Sequence, residues 1–327
     1  MADNVKKIYD HKNQLKSQIM IQPNGRELET EFYPNGKPRV IAEYRDGVLD
    51  GVYKEYYANG YLKEHSGWCQ GHKQGMCATF FDNGQLAELT HIGSNRAVNG
   101  VSLQFFSNGV LRSQKSFKDG VAHGPFLERA ENGMLYESGA FHHGQLNGEY
   151  RSYFPNGQVW EKVNYYNNRY DGDYHLYYEN GQIQIQAEYI DGMKDGEYQS
   201  FYDDGTPRVQ AFYKHDYRIG TYCRFYPNGQ LKVSCHYSAD VPSELVGDFK
   251  IFTESGQLAY LAKYDQGDKI TAVIWDGQES EENMIKRAQQ AFDAKMAEIH
   301  SSETQSHVLI HRNRKWIIKS TQEFVRG

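Results

Sequence analysis

A turn dipeptide recurs along this chain at a nearly fixed interval, and that period dictates the class of fold. Asn35-Gly36, Asn59-Gly60, Asn83-Gly84, Asn108-Gly109, Asn132-Gly133, Asn156-Gly157, Asn180-Gly181, Asp204-Gly205, Asn228-Gly229 and Ser255-Gly256 are separated by 24, 24, 25, 24, 24, 24, 24, 24 and 27 residues. An earlier Asn24-Gly25 has the look of a degenerate cap. Each unit holds a second turn halfway along, as in Asp46-Gly47 and Asp191-Gly192. Two turns per unit leave segments of about seven to nine residues, which is strand length rather than helix length. Tyr, Phe and Val fill these segments, and Pro34, Pro155 and Pro227 stand beside turns. Tyr-Pro-Asn-Gly suits a type I turn followed by a glycine with positive φ, which closes a three-residue hairpin loop with a bulge. Each repeat is therefore a β-hairpin, and the fold class expected is an all-β repeat protein, an elongated antiparallel β-meander.

Ring columns support this register. Nine residues after the anchor stand Tyr44, Trp68, Phe117, Tyr165 and Tyr189; six before it stand Tyr53, Phe126, Tyr150 and Tyr174; three before it stand Phe32, Tyr56, Phe80 and Phe201. Positions six and three before the anchor cannot share a face of an unbroken strand, because the side-chain period is two. Either a bulge intervenes or both faces carry rings. With 4 Trp, 26 Tyr and 16 Phe, the apolar matter is largely aromatic, which suits thin layers whose hydroxyls stay wet.

The aromatic pair, the turn and a downstream Tyr-x-x-Gly-x-x-x-Gly, as in Tyr153 through Gly157 and Tyr189 through Gly196, resemble the MORN-repeat-variant family. That family includes bacterial proteins labelled YwqK-like antitoxins. The resemblance covers roughly residues 32–270 and implies a meandering open sheet with no catalytic residues to transfer. Three parts are expected: a leader or cap over 1–31, the repeat array over 32–275, and a module over 276–327. In that module Ser280 through His300 reads as a helix presenting Ile285, Ala288, Phe292, Met296 and Ile299 on one face, followed by short strands at His307–His311 and Lys315–Ser320.

Charge narrows the function. The net −6 sits within residues 32–275, because the two ends are each balanced. An acidic array lacks the basic surface that general nucleic-acid binding requires. No run approaches the roughly 20 apolar residues of a membrane helix, so no integral membrane role is expected. The N-terminus carries no hydrophobic secretory stretch, and four cysteines make no disulfide scaffold; both point to a cytoplasmic protein with reduced thiols.

Nucleotide, metalloprotease and hydrolase motifs do not occur, and no cofactor is expected. The best metal candidate is His65, Cys69, His72 and Cys77, which fall within 13 residues. Against it, Cys77 occupies an aromatic column and His72 a turn, so packing explains them as well. His142-His143 lie in a turn and read as solvated or packed histidines.

What remains is a surface. The array is expected to be a non-catalytic protein-binding module, most specifically an antitoxin or immunity protein that sequesters a cognate toxin; the alternative is a scaffold or membrane-surface adaptor. Four residues after the anchor most repeats carry small, polar or basic residues, but two carry Tyr136 and Trp160. Ten after it, where Arg45 and Lys118 are typical, stand Tyr166 and Ile190. These even offsets share a face of a regular meander, so the four are expected to form an apolar binding patch with Arg169 and Tyr170 at its rim. Otherwise the sheet curls over them, or the helix bearing Phe292 covers them.

Overall fold

The computed structural model describes residues 5–275 and 277–303. Among these, 24 antiparallel strands follow one another, and one helix, Glu281–Glu303, comes last. The chain forms two compact units, Met1–Arg169 and Tyr170–Gly327. Within each, chain neighbours pair as a meander, and residues 5–32 contribute the three strands Val5–Tyr9, Leu15–Ile21 and Glu27–Phe32. The expected short strands at His307–His311 and Lys315–Ser320 lie outside the described residues.

The anchor turn is the hairpin that its residues demand. The Gly36 N–H donates to the Tyr33 carbonyl at 2.9 Å, the Tyr33 N–H donates to the Lys37 carbonyl at 2.9 Å, and Gly36 sits at φ 78. The midway turn is a two-residue loop with both central residues left-handed, Asp46 at φ 51 and Gly47 at φ 77, which matches strand twist. The extra residues of the two long intervals fall in midway turns, at Gly93–Asn99 and between Ser238 and Leu245.

The anchor asparagine does two jobs. Its Oδ1 accepts the N–H two residues on, as Asn180 does from Gln182 at 2.9 Å. Its Nδ2 donates to the carbonyl before the next anchor, as Asn180 does to Asp203 at 2.7 Å and Asn59 to Asp82 at 2.7 Å. Beside it, Tyr33, Tyr57, Tyr178, Tyr202 and Tyr226 donate their hydroxyls to the next repeat's backbone at Tyr56, Phe80, Phe201, Phe225 and Phe252. Successive hairpins are thus tied at their tips by side chains as well as along their strands.

The strand after each of the anchors Asn59, Asn83, Asp204 and Asn228 carries a bulge. Register shifts recur between the fourth and third residues before the anchor, at Glu55/Tyr56, Thr79/Phe80, Ser200/Phe201 and Arg224/Phe225. The extra residue, Lys63 in the first of these, lies four after the anchor on the following strand, so the preceding strand keeps its alternation and its rings six and three before the anchor fall on opposite faces. Rings flank a column of small residues seven after the anchor: Ala42 is 1% exposed, Ser66 0%, Val163 1%, Ala187 2% and Ala262 0%. Across this column Tyr53 meets Trp68 with centroids 6.1 Å apart, and Tyr150 meets Tyr165 at 5.7 Å. The small residue leaves room for two rings to close over it, which is how a single sheet layer makes a core.

The helix begins at Ser280, whose hydroxyl accepts the Asn283 N–H at 3.3 Å, with Glu281 and Glu282 in the first turn. Met284 and Ala288, both 0% exposed, pack on Leu258 and Leu261, and Phe292 lies against Lys263. Ile285, expected on this face, is exposed. The inward stripe runs 284, 288, 292, 296; Met284 and Ile285 are one residue apart, and the sheet contact selects between two stripes the sequence leaves nearly equivalent.

Candidate functional site

On the strand that follows each anchor, odd offsets such as five, seven and nine share the ring-bearing face, and even offsets point the other way. There a cation commonly stacks on a ring: Arg112 lies 5.8 Å over Phe106, Arg208 5.8 Å over Tyr202, and Lys232 5.1 Å over Tyr226. In the repeat anchored at Asn156 the cation is replaced. Trp160 pairs with Phe154 at 6.3 Å, an aromatic pair without the charged cover.

In the first unit Tyr136 is 45%, Trp160 48% and Tyr166 60% exposed, and Arg169 is exposed. Trp160 and Tyr166 share the strand Val159–Tyr166 and, by the pleat, one face. In the second unit Ile190 is 51% exposed, while Tyr170 is half-buried among Tyr174 and Tyr189, at 5.6 and 5.3 Å. Tyr170 therefore packs with the ring columns of its own unit.

The four residues of the proposed metal cluster are not brought together. Cys69 opposes His72 at the end of one hairpin, whereas Cys77 opposes Ser66; His65, one residue before Ser66, lies on the opposite face. All four cysteines are free thiols. Burial raises Cys77 and Cys223 above the usual thiol range and pushes Cys235 up to about 12, which disfavours the thiolate at all three.

One feature of the ring-bearing face escapes a search for rings. A single cross-strand row in the first unit holds, in order, Glu31, Val40, Glu55, Glu64, Thr79, Glu88, Gln104, Ser113, Glu128, Glu137, Ser152 and Glu161. Glu55 opposes Glu64 and Glu128 opposes Glu137, arrangements that repel unless relieved. Relief comes from Lys63 on Glu55 at 2.8 Å, Lys73 on Glu64 at 2.6 Å, Lys115 on Glu128 at 2.7 Å, and the Tyr150 hydroxyl donating to Glu137 at 2.8 Å. Burial, followed by that bond to a carboxylate, raises the Tyr150 phenol above its ordinary range. The signal is present in the sequence as glutamate at offsets of five after and four before the anchor. Only the register shows that those offsets meet.

One depression of about 490 Å³ is lined by Lys37, Pro38, Tyr56, Asn59, Gly60 and Tyr61, a set without a carboxylate, histidine or cysteine. Eight segments match the MORN repeat variant: 28–46, 49–66, 98–119, 146–168, 170–191, 194–215, 218–239 and 245–266. The chain belongs to the MORN repeat variant family. The repeats of this family are binding repeats, not catalytic ones. Two longer stretches within the array, 67–97 and 120–145, fall outside the MORN matches, and the second carries Arg129-Ala130 in place of an aromatic pair.

No curated protein matches the chain significantly. Among solved structures, a mutant Tc holotoxin pore of Photorhabdus luminescens is 12% identical with a TM-score of 0.20, covering 84% of this chain and 17% of that one. The TcdB2-TccC3-TEV structure is 11% identical with a TM-score of 0.19, covering 85% and 18%. The chain spans less than a fifth of the length of either. Among the described residues, no helix is long and apolar enough to cross a membrane.

Proposed function

We propose that this MORN-variant protein is a cytoplasmic antitoxin or immunity protein that sequesters a cognate protein toxin on the face carrying Tyr136, Trp160 and Tyr166. The observation that carries the docking site is the exposed Trp160–Phe154 pair, which replaces the cation-capped ring of other repeats. Large aromatics exposed on an otherwise polar surface dominate binding interfaces far more often than they dominate free surfaces. The antitoxin reading is supported by the resemblance to YwqK-like proteins and by a site inventory that offers recognition surface rather than reactive groups. Arg169, Tyr170 and Ile190 are the further candidates for contact.

The test uses the full chain as bait in lysate of its native host, with the captured partner then purified and titrated. Trp160→Ala is expected to weaken the complex by roughly 2 kcal/mol or more while leaving the melting temperature nearly unchanged. A captured partner that binds the folded Trp160→Ala and Tyr136→Ala proteins as tightly as wild type removes the patch. A partner that has no toxicity when expressed alone removes the antitoxin reading and leaves a binding scaffold.

A further inference from the structure

Three histidines, two of them adjacent and the third 19 residues earlier, meet at one edge of the first unit. His123 stands on the strand Val121–Arg129, His142 ends the strand Leu135–His142, and His143 is the first central residue of the turn that follows. The Gly144 N–H donates to the Ala122 carbonyl at 2.8 Å, which seats that turn against the strand of His123. Ring centroids are 5.0 Å apart for His123 and His142, 5.2 Å for His123 and His143, and 4.4 Å for His142 and His143. One nitrogen from each ring lies within 4.8 Å of the other two.

These positions do other work elsewhere in the array. The counterpart of His123 is Asn99 in one repeat and Asp195 in another. Asn99 accepts the N–H of Asp119 at 2.8 Å, and Asp195 accepts that of His215 at 3.3 Å, so an acid or amide steadies the midway turn. The counterparts of His142 are residues such as Arg45 and Lys118, and those of His143 include Asp46, Asp119 and Asn167. In one repeat alone all three positions are histidine, and there the turn-steadying acceptor is gone: the buried Nδ1 of His123 has no hydrogen-bond partner. That repeat lies in residues 120–145, a stretch outside the family matches. A buried ring nitrogen without a partner is costly unless something else occupies its lone pair.

We propose that His123, His142 and His143 form a binding site for one divalent cation of the zinc type. Zinc takes imidazole nitrogens at about 2.0–2.1 Å, which sets neighbouring nitrogens of a tetrahedral site about 3.3 Å apart. Small rotations of the exposed His142 and His143 rings bring the three nitrogens from their present spacing to that distance. Three imidazoles leave a fourth position for water or for a donor from a bound partner.

The test is a zinc titration of the untagged, chelator-treated full chain by calorimetry, with metal content measured after gel filtration. One zinc per chain is expected. His123→Asn, which restores the residue of the Asn99 repeat, and His142→Gln are each expected to weaken binding by about tenfold or more. His143→Asn, matched to Asn167 at φ 49, keeps the left-handed turn residue and has the same expected effect. A double His65→Ala/His72→Ala variant is expected to bind as wild type. Absence of bound zinc, or a loss of binding that follows the His65/His72 pair instead, overturns the proposal. A readout that needs no variant is the Cu(II) paramagnetic resonance spectrum of the wild-type chain, where coupling to three ring nitrogens is expected and coupling to fewer overturns it.

Discussion

Between Met1 and Arg169 the row that crosses the ring-bearing face carries Glu55, Glu64, Glu88, Glu128, Glu137 and Glu161. Between Tyr170 and Gly327 the same row carries Leu176, Ile185, Ser200, Val209, Arg224, Val233, Ile251 and Tyr260. The backbone devices are the same in both units: anchor turn, midway turn, bulge and small-residue column. The chemistry laid on them differs. In the second unit Val233, Cys235, Phe249, Ala262 and Tyr264 merge into one buried cluster, and the helix adds a second around Leu258 and Leu261. In the first, half-exposed Lys–Glu pairs hold the row, and such pairs contribute little stability. Repeat geometry therefore does not require an apolar row. It requires turns, bulges and room for rings, and leaves the row free to carry charge.

The largest expected contrast is in burial. Leu261 and Leu89 occupy the same repeat position, but Leu261 is 0% exposed beneath the helix and Leu89 is half-buried. Leu261→Ala is expected to cost roughly 3 kcal/mol in denaturant unfolding, through lost burial plus a cavity. Leu89→Ala is expected to cost about 1 kcal/mol. Equal costs would break the distinction between a covered and an uncovered unit.

An intermediate effect tests the row itself. Glu128 is 7% exposed, bonded by Lys115 and by the Ser113 hydroxyl at 2.9 Å. Glu128→Leu, the residue at Leu176, strands both donors and is expected to cost about 2 kcal/mol. Adding Lys115→Ala, the residue at Ala187, is expected to return stability to within about 1 kcal/mol of wild type, because an apolar pair replaces a partly desolvated ionic one. A double variant as weak as the single would mean that the acidic row is structural.

The smallest effect sharpens what the two units share. Asn180→Asp keeps the acceptor of its turn but loses the Nδ2 donor to Asp203, at an expected cost of about 1 kcal/mol. Asp204 already stands at an anchor and holds its turn through the Thr206 N–H at 2.8 Å. Asp204→Asn supplies the missing donor and is expected to raise the melting temperature slightly. If neither change moves thermal unfolding, the tips are tied by strand pairing alone.

Much of this was legible because turns announce themselves locally. Asn-Gly and Asp-Gly supply the left-handed residues that two kinds of hairpin loop require, so their spacing counts the strands. Even offsets likewise put Trp160 and Tyr166 on one face before any coordinates. The buried small-residue column was not legible from composition, since Ala42, Ser66 and Val163 share only size. Nor was the helix face, where Met284 rather than Ile285 is inward.

The sequence by itself determined the period, the hairpin, the strand order and the unusual aromatics at Tyr136 and Trp160, because each follows from demands a residue makes on its own backbone or on neighbours two to four positions away. The tertiary structure decided where bulges shift register, which offsets oppose one another, and which distant side chains meet. The glutamate row and the His123, His142 and His143 cluster exist only through that pairing. A register is a sum over many strand contacts, and a one-residue bulge redirects every side chain beyond it.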